Sequence, residues 1–398
     1  MFLNRVALQN FRTYKKASWE FSKTNIIIGP NTIGKTNILE AIYFLSHGTS
    51  FRAQKDVDTI KTGEEFARIE AEIKDNEKDK NKLSLTLVKQ NGFFRKKFIV
   101  NNIARRQLDF VSKFLTVLFT PEDIEIITDS PSLRRKYFDN ILFQANKRYR
   151  LASTIYEKAL RHRNRMLSNI REGKKLCNKK EFEYWDNLLI DNGKVLTQER
   201  EKIIRYMNES HKDTFDFQII YDKSTVTVER IEKYFEIEQK IGVTLIGPQR
   251  DEFVFLFPNP SSYTSDGTDE RSEGVRLLDK RGDEAMTSTP RAAVRQMTDS
   301  GDARPRWTKT IKEFGSRGEQ RLTIFQMKLI EIDYLKKETG QMPLLLLDDI
   351  FSELDSENIH KILDLIGSSQ TIITTTHKEF IPGKIFKSVN VIELEKKS

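Results

Sequence analysis

Gly29 and Gly34 frame the stretch GPNTIGKTN, and Lys35 and Thr36 follow the second glycine directly. In the spacing G-x-x-x-x-G-K-[ST], glycines let backbone N–H groups turn toward a phosphate and a helix N-terminus adds positive field. The lysine reaches the outer phosphates, and the hydroxyl binds Mg2+. Gly29, Pro30, Asn31, Thr32, Ile33, Gly34, Lys35, Thr36 and Asn37 are therefore candidates for nucleotide contact. A glycine turn with an exposed lysine is the competing reading. Far along the chain, the run PLLLLDD ends in two carboxylates, Asp348 and Asp349. A fully apolar strand delivers such residues to the carboxyl edge of a parallel sheet, where nucleotide sites form. Asp348 can hold Mg2+, directly or through water, and Asp349 can orient or deprotonate an attacking water.

A third piece is EFGSRGEQRL, Glu313 to Leu322. Its serine and backbone N–H groups open an amphipathic helix, which makes an anion site. One copy of the chain already carries a phosphate loop, so a second anion-binding helix start is best used on the γ-phosphate of another copy. An ordinary helix cap is the alternative.

These pieces need elements to position them. TNIIIG reads as a buried strand running into the glycine loop, and Ile38, Leu39, Ile42 and Leu45 repeat at helical spacing after it, so strand, loop and helix stand in the required order. Leu83, Leu85 and Leu87 alternate up to Asn91-Gly92, and Phe94, Phe98 and Val100 return, which predicts a β-hairpin. From Pro131, a favoured first helical residue after Asp129 or Ser130 as cap, the period is helical to about Met207. The break near REGKKLCNKK predicts antiparallel helices forming an arm. Strands and helices then alternate to the end, as in a doubly wound sheet. The expected segments are 1–128, 213–257 and 311–398 for one split α/β body and 129–212 for the arm. Residues 258–310 form an insertion poor in apolar side chains and unable to order itself.

Composition narrows the function. Charged residues make up 31% of 398 positions, and no apolar run reaches the ~18 residues of a membrane span. The start, MFLNRVALQNFRTY, does not read as a secretory signal, and a cytoplasmic setting is expected. The single Cys177 excludes disulfides and cysteine metal sites by count and reads as a bystander. The net charge of +9 is concentrated: Pro131 to Lys180 carries fifteen Lys and Arg against three acids. Cations such as Arg134, Lys147, Arg148, Arg161, Arg163 and Arg165 suit DNA through its phosphates, with counterion release as the driving term. A solvated helix face is the bland alternative. Few aromatics interleave with them, so backbone contacts with little base readout are expected.

The sequence resembles the ABC-type ATPases, and most closely the RecF family of DNA replication and repair proteins. NFRTY, GPNTIGKTNILEAIYFLS, SPSLRRKYFD, GPQRDEF, GSRGEQR and PLLLLDDIFSELD carry the resemblance. It implies an α/β fold: an ABC-type ATPase head with a mixed, largely parallel sheet, flanking helices and an antiparallel β part, interrupted by a helical arm. It implies ATP and Mg2+, with Lys35 and Thr36 on phosphate and metal, Asp348 on the metal and Asp349 on the water. Ser316, with Gly315, Gly318, Glu319 and Gln320, would act across a homodimer, and Asp355 would shape the partner's site. Arg12 would reach the nucleotide, and His377 fits the switch histidine. Thr32 stands where Gly or Ala is usual, Ile33 where a polar residue is common, and Asp129 where a Gly precedes Ser130-Pro131. The implied role is in recombinational repair and replication restart. ATP would close a dimer on gapped or double-stranded DNA, weak DNA-stimulated hydrolysis would release it, and RecO and RecR would help load RecA. A transporter ATPase subunit would rarely carry so basic an arm, an SMC-like structural protein needs hundreds of heptad residues, and a nuclease needs a second acidic metal cluster.

Overall fold

A computed structural model of the chain describes residues 2–74, 80–90, 92–258, 307–350, 368–376 and 389–395. The chain divides into two compact units, one made of Met1–Asp123, Asp139–Thr154 and Lys328–Ser398, the other of Ile124–Phe138 and Ile155–Met327. The strands expected in segment 213–257 fall in the second unit, with the arm helices beyond residue 155, rather than with the phosphate loop.

The first unit carries two sheets. Six antiparallel strands, β1 (Phe2–Phe11), β2 (Tyr14–Glu20), β4 (Phe66–Lys74), β5 (Lys80–Gln90), β6 (Phe93–Val100) and β7 (Ile103–Arg105), lie in the order β2-β1-β4-β5-β6-β7. Alternation sets their faces: Leu83, Leu85 and Leu87 are buried, whereas Ser84 and Thr86 are not. The expected hairpin is present, with Gln90 opposite Phe93 and Gly92 at φ 77°. Five parallel strands form the second sheet in the order β14-β3-β13-β12-β8: β3 (Thr24–Ile28), β8 (Thr116–Phe119), β12 (Leu344–Asp348), β13 (Thr371–Thr375) and β14 (Asn390–Glu393). Every residue of β3, β8, β12 and β13 is buried, the signature of strands covered on both faces. Helix α1 (Lys35–His47) touches strands of both sheets. Ile38, Leu39, Ala41, Ile42, Phe44 and Leu45 are wholly buried, so α1 has no wet face and acts as the spine of this core.

The second unit holds a three-stranded antiparallel sheet, β9 (Gln218–Asp222), β10 (Glu252–Pro258) and β11 (Trp307–Thr310), in the order β11-β10-β9. Pro258 and Trp307–Thr310, placed in the insertion by composition, are strand residues. A four-residue polar strand takes its order from pairing with β10 rather than from any apolar pattern of its own. The rest of the insertion, 259–306, lies outside the described residues. By sequence, α2 (Pro131–Ala145) and α3 (Lys147–Arg171) contribute to both units, while α4 (Lys180–Glu209) and α5 (Val228–Ile241) belong to the second. α3 and α4 are antiparallel: Arg163 meets Asp186, and Tyr156 closes on Gly193, where a Cβ would sit 3.2 Å from its ring.

Ion pairs bind this unit together. Arg163, fully buried, reaches Asp186 at 2.6 Å and Glu238 at 2.7 Å and donates to Thr244 Oγ1 at 2.9 Å, which joins α3, α4 and α5. Arg200 pairs with Asp251 at 2.6 Å, and Arg134 clamps Glu252 at 2.8 and 3.2 Å. The motif pair SPSLRRKYFD and GPQRDEF is thus a mutual ionic clasp, since Arg135 also donates to the Asp251 carbonyl at 2.7 Å. Removing one partner of such a buried set leaves an uncompensated charge at a cost of roughly 3–5 kcal/mol. Arg163→Met should accordingly lower the denaturation midpoint of the second unit, read by chemical unfolding with a probe on α3 or α4. An unchanged midpoint would show that the network contributes nothing net.

Candidate nucleotide-binding site

β3 ends at Ile28, the loop follows, and α1 begins at Lys35, so the backbone leaves a sheet edge and enters a helix N-terminus within seven residues. Gly34 stands at φ 110°, and an added Cβ there would come within 2.8 Å of the Tyr14 hydroxyl. Glycine is therefore required twice over, by backbone conformation and by space. Tyr14 donates to the Gly34 carbonyl at 3.1 Å, and burial pushes its phenol up to about 12. Lys35 is buried, with Nζ donating to the carbonyls of Gly29 at 2.7 Å and Pro30 at 3.1 Å. Burial lowers its pKa, opposed by the carboxylates of Asp349 and Asp348. A phosphate offers those protons a charged acceptor in place of two loop carbonyls.

The acidic strand arrives at the same place. β12 pairs with β13, and β13 with β3, in parallel register, bringing Asp348 beside Thr36 although 312 residues separate them. Thr36 Oγ1 donates to Asp348 Oδ1 at 3.1 Å, and Thr374 Oγ1 donates to the same oxygen at 2.5 Å. Burial raises the Asp348 pKa against these two hydrogen bonds. One carboxylate and one threonine hydroxyl make an all-oxygen donor pair suited to a hard divalent cation. Asp349 follows with its N–H on Thr374, carbonyl at 3.2 Å and hydroxyl at 3.1 Å. Thr374 is a site residue that the sequence does not single out. The hydroxyl run TTT at the end of β13 is its only local signal, and the partner it serves is remote.

Backbone strain concentrates here. Six described non-glycine residues have positive φ, of which Asn10, Asn101 and Asn102 are asparagines that tolerate it; the others are Arg12, Thr32 and Asp349. Thr32, at φ 68°, stands in a left-handed conformation that explains an expectation of Gly, though not of Ala, at that place in the loop. Arg12 is engaged by Glu40, with Nε on Oε2 at 2.8 Å and Nη2 on Oε1 at 2.6 Å, and its Nη1 reaches the Asp58 carbonyl at 3.1 Å. It borders a depression with Thr13, Asn37 and Arg52, so it stands beside the loop with most of its donors already taken.

Ser316 and its neighbours belong to the second unit. Ser316 Oγ accepts from the Glu319 N–H at 3.3 Å and donates to Glu319 Oε2 at 2.8 Å, while the Ser316 N–H reaches that same oxygen at 2.7 Å. This is a reciprocal capping box at the start of α6 (Arg317–Thr339). Gln320 is buried and donates to the carbonyls of Ile311 and Gly315, both at 3.2 Å, which fixes the turn, while Ser316 and Gly318 stay exposed. Asp355 and His377 lie outside the described residues.

The arm cations divide sharply. Arg134 and Arg163, expected to contact DNA, are buried and neutralised by Glu252 and by Asp186 and Glu238, so both are structural. Lys147, Arg148, Arg161 and Arg165 are exposed. The fold also supplies aromatics that the local sequence around these cations lacks. His162 stacks on Trp185 at 4.2 Å and 3°, and the exposed Tyr184 meets Trp185 edge-on at 4.9 Å. Those rings come from α4, and only the antiparallel register of the two helices brings Trp185 to His162, which lies between Arg161 and Arg165 in sequence.

Thr32→Gly should relieve a left-handed strain of ~1–2 kcal/mol while adding ~0.5–1 kcal/mol of unfolded-state entropy. A small rise in the thermal midpoint of the first unit is expected, and a fall would mean that the threonine side chain stabilises the loop.

The RecF/RecN/SMC N terminal domain family matches residues 2–397. The DNA replication and repair protein RecF of Lachnoclostridium phytofermentans is 32% identical over 399 residues, covering 97% of this chain and 96% of that one. That of Clostridium novyi is also 32% identical, covering 98% and 99%. A solved structure of the recombination mediator protein RecF with ATP, of the RecFOR pathway, superposes with a TM-score of 0.76 at 28% identity, covering 96% of this chain and 93% of that chain. Matched along nearly its whole length by the family model and by these relatives, this chain belongs to the RecF family within the RecF/RecN/SMC N-terminal domain proteins.

Proposed function

We propose that this chain is an ATP-dependent DNA-binding protein of recombinational repair and replication restart. The carrying observation is the meeting of Lys35, Thr36 and Asp348 from opposite ends of the sequence, which only a nucleotide phosphate with a bound cation makes full use of. Thr36 and Asp348 would hold Mg2+, which supplies charge neutralisation on the phosphate oxygens. Lys35 and the loop N–H groups bind the outer phosphates. Asp349, held in a left-handed conformation with its N–H on Thr374, orients the attacking water and accepts its proton.

The γ-phosphate receives its remaining donors from Ser316 of a second copy, so ATP closes a homodimer and hydrolysis opens it. The capping box supports this reading because the hydroxyl and the N–H of Ser316 already converge on one carboxylate oxygen, that of Glu319. A phosphate would replace that carboxylate as acceptor. The ATPase is weak and DNA-stimulated, since closure depends on a partner and on DNA. Exposed Lys147, Arg148, Arg161 and Arg165 take DNA phosphates, and the stacked His162 and Trp185 with the exposed Tyr184 offer a surface for unpaired bases at a gap. RecO, RecR and RecA are the partners, and the setting is cytoplasmic. Among the described residues no helix is long and apolar enough to cross a membrane.

Two variants test the composite site. Asp349→Asn should bind ATP and accumulate as a dimer without turnover, and Ser316→Arg should bind ATP yet stay monomeric in sedimentation. Mixed, they form one interface with both residues intact, so part of the ATPase activity should return. If neither variant alters ATP-dependent dimerisation or turnover, the trans-acting role of Ser316 is wrong.

DNA binding has its own test. Charge reversal at Arg161 and Arg165 should flatten the log–log salt slope of duplex binding by about 1.8, at roughly 0.9 for each DNA phosphate that is no longer neutralised. An unchanged slope would place the DNA elsewhere.

A further inference from the structure

The first unit contains a cavity of about 680 Å³ that shares no lining residue with the phosphate loop. Gln341, which lines it, precedes the first residue of β12, whereas Asp348 is the last. At ~3.3 Å per strand residue, the cavity therefore lies roughly 15 Å or more from the metal-binding carboxylate, at the opposite edge of the parallel sheet.

Its chemistry is specific. Arg105, Lys113, Lys147 and Arg150 line it against a single acid, Asp109. Arg150 is 3% exposed; its Nη1 donates to the carbonyls of Phe143 at 2.7 Å and Gln144 at 3.0 Å, and its Nε has no hydrogen-bond partner. Lys147 opens α3, a 25-residue helix whose positive end adds to the field. The Asp109 carboxyl is held below the usual carboxylate range, first by its hydrogen bond from Arg106 and further by Lys147 and Arg105. Ile73, Leu83, Val100 and Leu108 supply the apolar part of the lining, and the buried Gln341 amide oxygen has no donor. Inorganic phosphate would satisfy the cations but leave that apolar surface facing water. A nucleoside phosphate satisfies both, with its base against the aliphatic side chains, and the volume falls within the ~300–1,000 Å³ usual for ligand pockets.

We propose that this cavity is a second nucleotide site, which takes a nucleoside phosphate either free or as the phosphorylated end of a DNA strand. It is independent of the phosphate loop and sits at the root of the strand that carries Asp348.

Counting bound nucleotide by equilibrium dialysis with saturating labelled ATP tests this on the full chain. The unaltered protein should bind two equivalents, and Lys35→Ala one. Arg105→Glu with Lys113→Glu, both at exposed positions, should also bind one, and the triple variant none. Where the source is a strand end, a 5′-phosphorylated oligothymidylate should bind Lys35→Ala at least tenfold more tightly than its unphosphorylated twin, and the charge reversals should erase the difference. The proposal is overturned if the unaltered protein binds one equivalent and shows no preference for the phosphorylated strand, or if the charge reversals change neither measurement. Two equivalents on Lys35→Ala, falling to one on charge reversal, would support the cavity and sink the phosphate-loop reading instead.

Discussion

One oxygen of Asp348 accepts hydrogen bonds from Thr36 and Thr374, and the rest of the first unit is arranged so that these three side chains can meet. The meeting requires β3, β13 and β12 to pair in one register, because a slip of a single residue would turn each side chain to the other face of the sheet. It also requires α1 to start where β3 stops. Burial disfavours the ionised carboxylate. An acid whose folded pKa is raised weakens the fold as pH climbs through that pKa, so a cation that binds the ionised form offsets the penalty. Two hydroxyls and a dry sheet edge thus gather three side-chain oxygens at one point.

The second unit solves a different problem with the same currency of charge. Helix α3 is strongly basic, yet its central Arg163, like Arg200 of α4, faces inward to carboxylates. Gly247, at φ 115°, and the tight fit of Tyr156 against that turn hold Asp251 where Arg200 can reach it. Part of the arm's charge is therefore architecture, and only the exposed remainder is available to a polyanion.

How much of this is legible in the sequence follows from how local each signal is. The loop, the strand before it and the helix after it are consecutive, and the run of leucines before Asp348 shows a buried strand without reference to anything else. The β5–β6 hairpin is equally plain from its alternation and its glycine turn. Burial of Arg163 cannot be read, because an arginine on a basic helix looks the same whether or not Glu238, 75 positions later, lies beneath it. The same limit hides Trp185 from His162 and Thr374 from Asp348. Helix α5 is obscured for a related reason: its inward positions, Ile231, Phe235 and Glu238, include a carboxylate that is buried only because Arg163 meets it.

The order of the strands in the parallel sheet has a bearing on how the protein is made. β3 emerges early, yet both its neighbours, β13 and β14, come from the far end of the chain; Asn25 reaches its bonding partner at Thr371 across 346 residues. At ~5–20 residues per second, roughly 20 to 70 s of synthesis pass before that apolar strand has anything to pair with. During that interval α1 and the antiparallel sheet are all that can shelter it. A polypeptide released short of β13 would keep a complete phosphate loop beside an unpaired strand edge, a species suited to capture by chaperones and proteases rather than to binding ATP.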